Sequence, residues 1–302
     1  MQMISKTGLR SVVLLVTIFL FVSVMGCKHE TSQETKKIKL VCSFYPMYII
    51  ALNVLKDVPD MSVSNLTPPI TGCLHDYTLT TDDMRKLADA KVFVANGAGM
   101  ESFLDRIIVQ YPQINIIKLA DGIPLIKSPG EEGVNPHVWV SISNAITECN
   151  NLGKYMQKLD PAHAGMYRKN TEAYVNKLET LRKKMTMELA PYKGKKIITF
   201  HEAFPYFAQE FGLKIAAAIE REPGSEPSAR ELASTVDLVR KAGIKTLFSE
   251  PQYPAAAADT IARETGAKVY MLDPAVTGPN DPDAYINIME NNLEVLKTAF
   301  SR

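Results

Sequence analysis

The chain has almost no excess of charge of either sign. Its 302 residues contain 34 Lys and Arg against 33 Asp and Glu. A nucleic-acid-binding protein needs a basic surface that neutralises phosphates, so this balance argues against that class of function.

Cysteine is also scarce. Apart from Cys27, only Cys42, Cys73 and Cys149 are present. These three allow either one disulfide with a spare thiol or three reduced thiols, and we predict no particular bridge.

The sequence also lacks an apolar run long enough to cross a bilayer comfortably. The stretch from Val12 to Met25 is shorter than the ~20 residues that span a membrane. It follows two basic residues and precedes Gly26-Cys27, a pattern that predicts a signal peptide over residues 1–26. Val24-Met25-Gly26-Cys27 resembles a bacterial lipobox, which implies lipid attachment at Cys27; an ordinary secretory signal is the alternative. We therefore expect an extracytoplasmic protein of the cell envelope, anchored to the membrane by lipid.

After a polar, flexible tether over residues 27–37, short apolar runs alternate with amphipathic stretches. The predicted strands are 38–43, 61–66, 91–95 and 114–119 in the first half, and 196–200, 213–217, 244–248 and 267–272 in the second. The predicted helices between them are 46–56, 81–89, 100–110, 203–211, 229–242, 254–265 and 282–299. This alternation predicts an α/β fold of two βα lobes, 38–158 and 193–302, each with a four-stranded, mainly parallel sheet.

One long helical segment, over residues 159–192, joins the two predicted lobes. Asp160 is a suitable N-cap, Pro161 suits the first helical position, and no glycine occurs from Met166 to Leu189. At about 1.5 Å per residue, such a helix is roughly 45 Å long and forms a stiff linker. A dimerising coiled coil is the alternative, but the apolar stripe is short for one, and we expect a monomer.

Four potential metal ligands stand far apart in the chain, at His75, His137, His201 and Asp273. His201 and Asp273 each follow a predicted strand, and the carboxyl ends of strands are where open α/β sheets keep their sites. Imidazole and carboxylate together suit zinc, and four ligands complete its preferred tetrahedron. His163, in the first turn of the predicted linker helix, lacks such a placement and is expected to be structural.

The sequence resembles the zinc and manganese solute-binding lipoproteins of bacterial ABC importers, a family with two lobes joined by one long helix. The stretches that carry the resemblance are His75–Asp82, Asn135–Trp139, Thr199–Phe204, Glu226–Leu232, Phe248–Gln252 and Leu272–Pro274. They occur in the family's order and cover essentially the whole chain after the predicted signal peptide. The resemblance implies a binding protein and not an enzyme, with Zn²⁺ (Mn²⁺ possible) as the transported ligand and a permease with its ATPase as partners.

The resemblance also implies which residues bind the metal: His75 and His137 from the amino-terminal lobe, with His201 and Asp273 from the carboxyl-terminal lobe. A histidine at position 201 implies a zinc-type site, because a glutamate there would favour the harder Mn²⁺. Glu250, at the end of a predicted strand, is the candidate acceptor that orients a histidine ligand.

Three departures from the family pattern concern this site. Residues 76–136 contain no histidine, whereas many zinc-specific members carry a histidine-rich run there. Leu74 and Ser141 stand where the family usually has a proline and an aspartate. Cys73 could offer a thiolate to the metal, but a buried thiol without a metal role is the preferred interpretation.

Two other functions remain open on the sequence alone. In a zinc hydrolase the three histidines would hold the metal, a water would take the fourth position, and Glu202 or Glu250 would act as general base. Coordination by Asp273 would instead close the site, which suits capture of the ion. A surface adhesin is the other possibility, for which the sequence supplies no separate evidence.

Overall fold

Two four-stranded sheets organise the protein, seen in a computed structural model that describes residues 37–68, 73–74, 77–127, 133–219, 228–251 and 256–301. Every strand pairing in both sheets is parallel. The predicted fold class of two βα lobes is therefore confirmed. The predicted signal peptide, Cys27 and His75 lie outside the described residues. Within the described ranges, no helix is both long enough and apolar enough to cross a membrane.

The amino-terminal sheet has the strand order β2-β1-β3-β4. Its strands are β1 (Ile38–Cys42), β2 (Met61–Asn65), β3 (Val92–Ala95) and β4 (Asn115–Lys118). All residues of β3 are buried, as expected for an inner parallel strand that is covered on both faces. The accompanying helices are α1 (Tyr45–Val54), α2 (Thr81–Ala88) and α3 (Leu104–Gln110).

Two long helices follow the amino-terminal sheet: α4 (Ile142–Leu159) and α5 (Ala164–Leu189). A 3-10 turn over Pro161–His163 separates them. Helix α5 has 26 residues and is therefore about 39 Å long. It occupies most of the segment that was predicted as a linker helix. Helix α4 is a feature that the sequence analysis missed.

The carboxyl-terminal sheet repeats the plan of the first, with the strand order β6-β5-β7-β8. Its strands are β5 (Lys196–Thr199), β6 (Lys214–Ala218), β7 (Thr246–Ser249) and β8 (Lys268–Met271). Its helices are α6 (Pro205–Phe211), α7 (Ala229–Ala242), α8 (Ala256–Thr265) and α9 (Ala284–Phe300). The strand order reverses between β1 and β3 in one sheet and between β5 and β7 in the other. Each lobe therefore has one topological switch point, where open sheets form a ligand crevice.

Helix α5 lies inside the main hydrophobic core. Its apolar stripe is no more than 3% exposed and consists of Tyr167, Tyr174, Leu178, Leu181, Met185 and Leu189. The same core contains Met47 of α1, Leu152 of α4 and Leu293 of α9. The stripe is thus already buried within the chain and is not available for the coiled coil that was considered as an alternative.

Candidate metal site

His201 provides the carboxyl-terminal half of the site. It lies two residues after β5, and Glu250 lies one residue after β7, so both stand at the switch point of their sheet. The main-chain N–H of His201 donates a hydrogen bond to Oε1 of Glu250 at 3.2 Å. Both residues are buried. Glu250 therefore holds the loop that carries His201, through the main chain of that loop.

His137 provides the amino-terminal half. It precedes a 3-10 turn, Val138–Val140, which leads into α4. Oδ1 of Asn135 accepts the main-chain N–H of His137 at 3.0 Å and lies 3.1 Å from ring Nδ1. An amide oxygen can only accept, so Nδ1 carries the hydrogen and the lone pair of Nε2 is available to a metal ion.

The two imidazoles meet directly. Nε2 of His137 lies 2.8 Å from Nε2 of His201, and the ring centroids are 4.6 Å apart at an interplanar angle of 83°. The residues are 2% and 1% exposed. Asn135 connects their two loops, because its Nδ2 donates to the main-chain oxygen of Glu202 at 2.7 Å. Residues from the two lobes thus form one buried pair of imidazoles, whose nitrogen atoms are suitable metal ligands.

Cys73 joins this pair. One ligand atom from each of Cys73, His137 and His201 lies within 4.8 Å of the other two. Cys73 is 8% exposed, and among the described residues no disulfide joins Cys42, Cys73 or Cys149. The sequence alone favours a buried thiol without a metal role for this residue. The thiol is indeed buried, but it lies against the two imidazoles.

Asp273 lies in the loop that follows β8. Asn292 fixes its main chain from both sides, by accepting the N–H of Asp273 at 2.9 Å and donating to its carbonyl oxygen at 2.7 Å. Oδ1 of Asp273 accepts the N–H of Ala275 at 2.8 Å, and burial raises the pKa of this carboxyl above its ordinary value. Its oxygens do not belong to the close group of ligand atoms found among the described residues. The metal roles of all four residues, His75, His137, His201 and Asp273, stay predictions.

Trp139 connects the loop of His137 to that of Asp273. Its indole N–H donates to the main-chain oxygen of Pro274 at 2.8 Å, and its ring centroid lies 5.3 Å from that of His137. Its own carbonyl oxygen accepts the hydroxyl of Tyr285 at 2.7 Å. Asn135 and Trp139 are positioning residues that the sequence analysis did not identify. The available signal was the single tryptophan of the chain, two residues after a predicted ligand.

Ser141 and His163 have local roles. Oγ of Ser141 accepts the N–H of Asn144 at 3.2 Å as the N-cap of α4, and donates to Oε2 of Glu210 at 2.7 Å. The serine that replaces the family's usual aspartate therefore still caps this helix. Nδ1 of His163 lies 2.7 Å from Oδ2 of Asp160, which agrees with the structural role expected for it.

Comparison with known proteins identifies relatives that are described as zinc-uptake or metal-binding proteins. High-affinity zinc uptake system protein ZnuA of Bacillus subtilis (strain 168) is 30% identical over 302 residues, covering 92% of this chain and 93% of that protein. The structure is similar to FpvC from Pseudomonas aeruginosa, solved in complex with Mn²⁺, with a TM-score of 0.79, 32% identity and coverage of 88% of this chain and 99% of FpvC. It is also similar to the laminin-binding protein Lmb of Streptococcus agalactiae, described as a bifunctional protein with adhesin and metal transporting activity. That likeness has a TM-score of 0.78, 30% identity and coverage of 87% of this chain and 98% of Lmb.

A family model gives the assignment directly. The model described as zinc-uptake complex component A, periplasmic, matches residues 40–299. The match includes both sheets, the long helix and both histidine loops. It confirms the resemblance inferred from the motifs. The chain therefore belongs to the ZnuA family of zinc-uptake components.

Proposed function

We propose that the protein captures Zn²⁺ outside the cytoplasmic membrane and delivers it to the permease and ATPase of an ABC importer. The observation that carries this proposal is the buried pair of His137 and His201, one from each lobe, whose Nε2 atoms face each other at 2.8 Å. Imidazole is a preferred zinc ligand. Membership of a family of zinc-uptake components supports the same function.

A zinc ion can bind between the two imidazoles after their Nε2 atoms move slightly apart. With zinc–nitrogen bonds of about 2.0–2.1 Å and tetrahedral angles, two ligand nitrogens lie about 3.4 Å apart. The Nε2 atoms start at 2.8 Å, so they need to separate by about 0.6 Å. Small rotations of the two side chains supply this separation while the loops that carry them stay in place.

His75 and Asp273 are the further ligands that we propose from the sequence. A zinc ion held by four protein ligands has no open position for a reacting water, so such a site favours capture over hydrolysis. Burial, and then the charge of Asp273, raise the pKa of Tyr45 in α1 to about 12. That influence places the carboxylate of Asp273 near Tyr45 of the amino-terminal lobe.

Mn²⁺ is the second candidate ion. The complex of the similar protein FpvC with Mn²⁺ favours it. The donor set argues for zinc, because imidazoles suit zinc while carboxylates and water suit manganese. We therefore expect Zn²⁺ to displace Mn²⁺ in competition.

The test is elemental analysis of protein purified without added metal, followed by titration with Zn²⁺ and with Mn²⁺. His201→Ala should weaken Zn²⁺ binding by more than the about 10–100-fold that loss of an outer-sphere partner costs. His163→Ala is the matched control, because this histidine lies outside the site and contacts Asp160. Near-native zinc affinity of the His201→Ala protein would remove this residue from the metal site.

We also propose that the chain is exported, attached to the membrane by a lipid on Cys27, and active as a monomer. The lipobox-like stretch before Cys27 and the periplasmic description of the family support this placement. Replacement of Cys27 by Ala should move the protein from the membrane fraction to the soluble extracytoplasmic fraction. Unchanged membrane association of that variant would contradict the lipid anchor.

A further inference from the structure

Cys73 is held beside the histidine pair by its neighbours in the chain. Leu74 is fully buried in the main core, and its carbonyl oxygen accepts the N–H of Tyr77 at 3.2 Å. Tyr77 is fixed in turn, because its hydroxyl donates to Oδ2 of Asp83 at 2.7 Å and its ring packs edge-on against Phe103. The position of Cys73 therefore follows from the packing and hydrogen bonds of Leu74 and Tyr77.

The distances within the group are those that one ion can bridge. Zinc binds thiolate sulfur at about 2.3 Å and imidazole nitrogen at about 2.0–2.1 Å, so tetrahedral ligands are about 3.4–3.6 Å apart. The ligand atoms of Cys73, His137 and His201 all lie within 4.8 Å of one another. An ion placed among them needs only sub-ångström to ångström adjustments of the three side chains.

The other two cysteines behave differently. Cys42 and Cys149 are completely buried in the main core and are not part of any such group among the described residues. Burial, followed by the influence of Glu148, raises the pKa of the Cys149 thiol to about 12. Burial alone is thus a sufficient account of Cys42 and Cys149, whereas Cys73 also faces two nitrogen ligands.

We propose that Cys73 coordinates the transported ion through Sγ, together with Nε2 of His137 and of His201. Cys73 thus replaces either His75 or Asp273 in the set of four protein ligands. As the metal–sulfur bond forms, the thiol proton passes to solvent, and no oxidant or reductant takes part. The inference rests on the proposed function, since it assigns a further ligand to the same site.

A thiolate changes which ions the site prefers. Soft sulfur ligands select zinc, whereas the harder manganese ion prefers carboxylate, carbonyl and water oxygen. Cys73 therefore acts as a specificity-determining residue that widens the preference for Zn²⁺ over Mn²⁺. The histidine-rich run of other zinc-specific members is absent from residues 76–136, so it contributes nothing to the ion preference of this protein.

Cobalt(II) is a suitable probe, because thiolate coordination produces an intense charge-transfer band in the near ultraviolet that imidazole ligands do not produce. We expect the full-length protein, kept reduced, to bind Co²⁺ with this band. Cys73→Ser should lose the band while still binding Co²⁺ through the histidines, and Cys149→Ser, the matched buried-thiol control, should retain it. In competition, Cys73→Ser should lower Zn²⁺ affinity about tenfold or more and leave Mn²⁺ affinity nearly unchanged.

X-ray absorption at the zinc edge of the unmutated protein tests the same point without relying on a variant. A sulfur neighbour at about 2.3 Å is the expected result. Metal binding with only nitrogen and oxygen neighbours, or equal Zn²⁺ affinity of the unmutated and Cys73→Ser proteins, would overturn the role of Cys73 and leave the proposed function standing. Failure of the unmutated protein to bind either Zn²⁺ or Co²⁺ would instead overturn both.

Discussion

At the scale of single residues, Asn135 positions both histidine loops of the site. This one side chain accepts from the main chain of His137, fixes the tautomer of its ring and donates to the loop that carries His201. It therefore determines both the direction of the Nε2 lone pair and the distance between the two loops. Partners of this kind that orient a metal-binding histidine commonly affect metal affinity strongly.

Asn135→Ala should therefore weaken Zn²⁺ binding about 10–100-fold, because both the ring and the opposite loop lose their anchor. Asn135→Asp retains an acceptor for Nδ1 but loses the donor to Glu202, so an intermediate loss is expected. Asn170→Ala is the control, since Asn170 donates to Lys56 and Val54, away from the site. Calorimetric titration measures all three, and equal affinities for the Asn135 and Asn170 variants would contradict this role.

Glu148 of α4 is a buried carboxyl that the metal site does not use. Neither of its carboxylate oxygens has a hydrogen-bond partner among the described residues. Burial, and then the nearby charge of Glu101, raise its pKa well above the ordinary value. Glu101 is better satisfied, because it accepts the main-chain N–H groups of Asn96 and Gly97 at 2.7 and 3.0 Å. Glu148 is therefore the member of this pair that holds the proton.

This proton makes the stability of the fold depend on pH. The folded protein keeps it to a higher pH than the unfolded chain, whose glutamates titrate near about 4.3. The free energy of unfolding should therefore fall as the pH rises from that value toward the raised pKa of Glu148. Glu148→Gln removes this dependence and should increase the free energy of unfolding near neutral pH by about 1–3 kcal/mol, with a smaller gain below about pH 4.

Thermal unfolding of the Glu148→Gln protein across this pH range is the measurement. Glu172→Gln on α5 is the control, because Glu172 is exposed. A gain for Glu148→Gln that is the same at low and neutral pH would show that the effect does not come from this titration.

At the scale of elements, most strands and helices follow from the sequence while α4 does not. Parallel strands buried on both faces read as continuous apolar runs, so the eight predicted strands agree with β1–β8 within a few residues. The buried face of α4 has helical spacing, but Glu148 and Gly153 occupy two of its core positions. A charged residue and a residue of poor helix propensity hide the amphipathic pattern on which sequence reasoning depends.

Gly153 is required because α4 and α5 approach closely at this point. A Cβ added to Gly153 would collide with the Thr171 side chain. Alanine normally favours a helix over glycine by about 1 kcal/mol. Gly153→Ala should nevertheless destabilise the protein by about 1–3 kcal/mol, because the two helices would have to move apart.

Gly165→Ala on α5 is the matched control, since nothing lies near its added Cβ, and it should be neutral or slightly stabilising. Thr171→Ala combined with Gly153→Ala should recover part of the loss, because the closest colliding atoms are removed. Chemical denaturation gives the free energies, and a stabilised Gly153→Ala protein would disprove the close-packing account.

The site shows a similar division between what sequence can and cannot predict. His201 is predicted because it follows a strand, where the fold makes ligand crevices. His137 is predicted because it stands in Asn135–Trp139, one of the stretches that carry the family resemblance. Cys73 stands two residues before the predicted ligand His75, but nothing in its local sequence indicates that its thiol lies against both His137 and His201. Convergence of loops is a property of tertiary packing, and a local pattern does not encode it.

At the scale of the whole molecule, the two lobes are joined by more than the long helix. Tyr45, Tyr48 and Asn53 of α1 donate to Pro279, Asn280 and Pro282 in the loop before α9. Trp139 makes a further link to Pro274. These hydrogen bonds all connect the amino-terminal lobe to the segment 274–282. Large hinge motion would have to break them together, so changes on metal binding should be local.

Zn²⁺ should therefore slow hydrogen exchange chiefly in segments 133–141 and 199–204, while the radius of gyration measured by X-ray scattering changes little. The physical reason is that the ion joins two loops whose supporting elements are already packed together. The helices α7 and α8, which carry none of the proposed ligands, provide the internal control. A marked decrease in the radius of gyration with zinc would indicate lobe closure and contradict this expectation.

The near-complete burial of His137 and His201 has a kinetic consequence. Water and chelators have no direct path to an ion enclosed between these rings, so its escape has to wait until one of the two loops moves aside. The lifetime of the loaded state is then governed by the frequency of that opening as well as by the strength of the metal–ligand bonds. A receiving membrane complex that pulls either loop outward would shorten this lifetime without competing chemically for the ion.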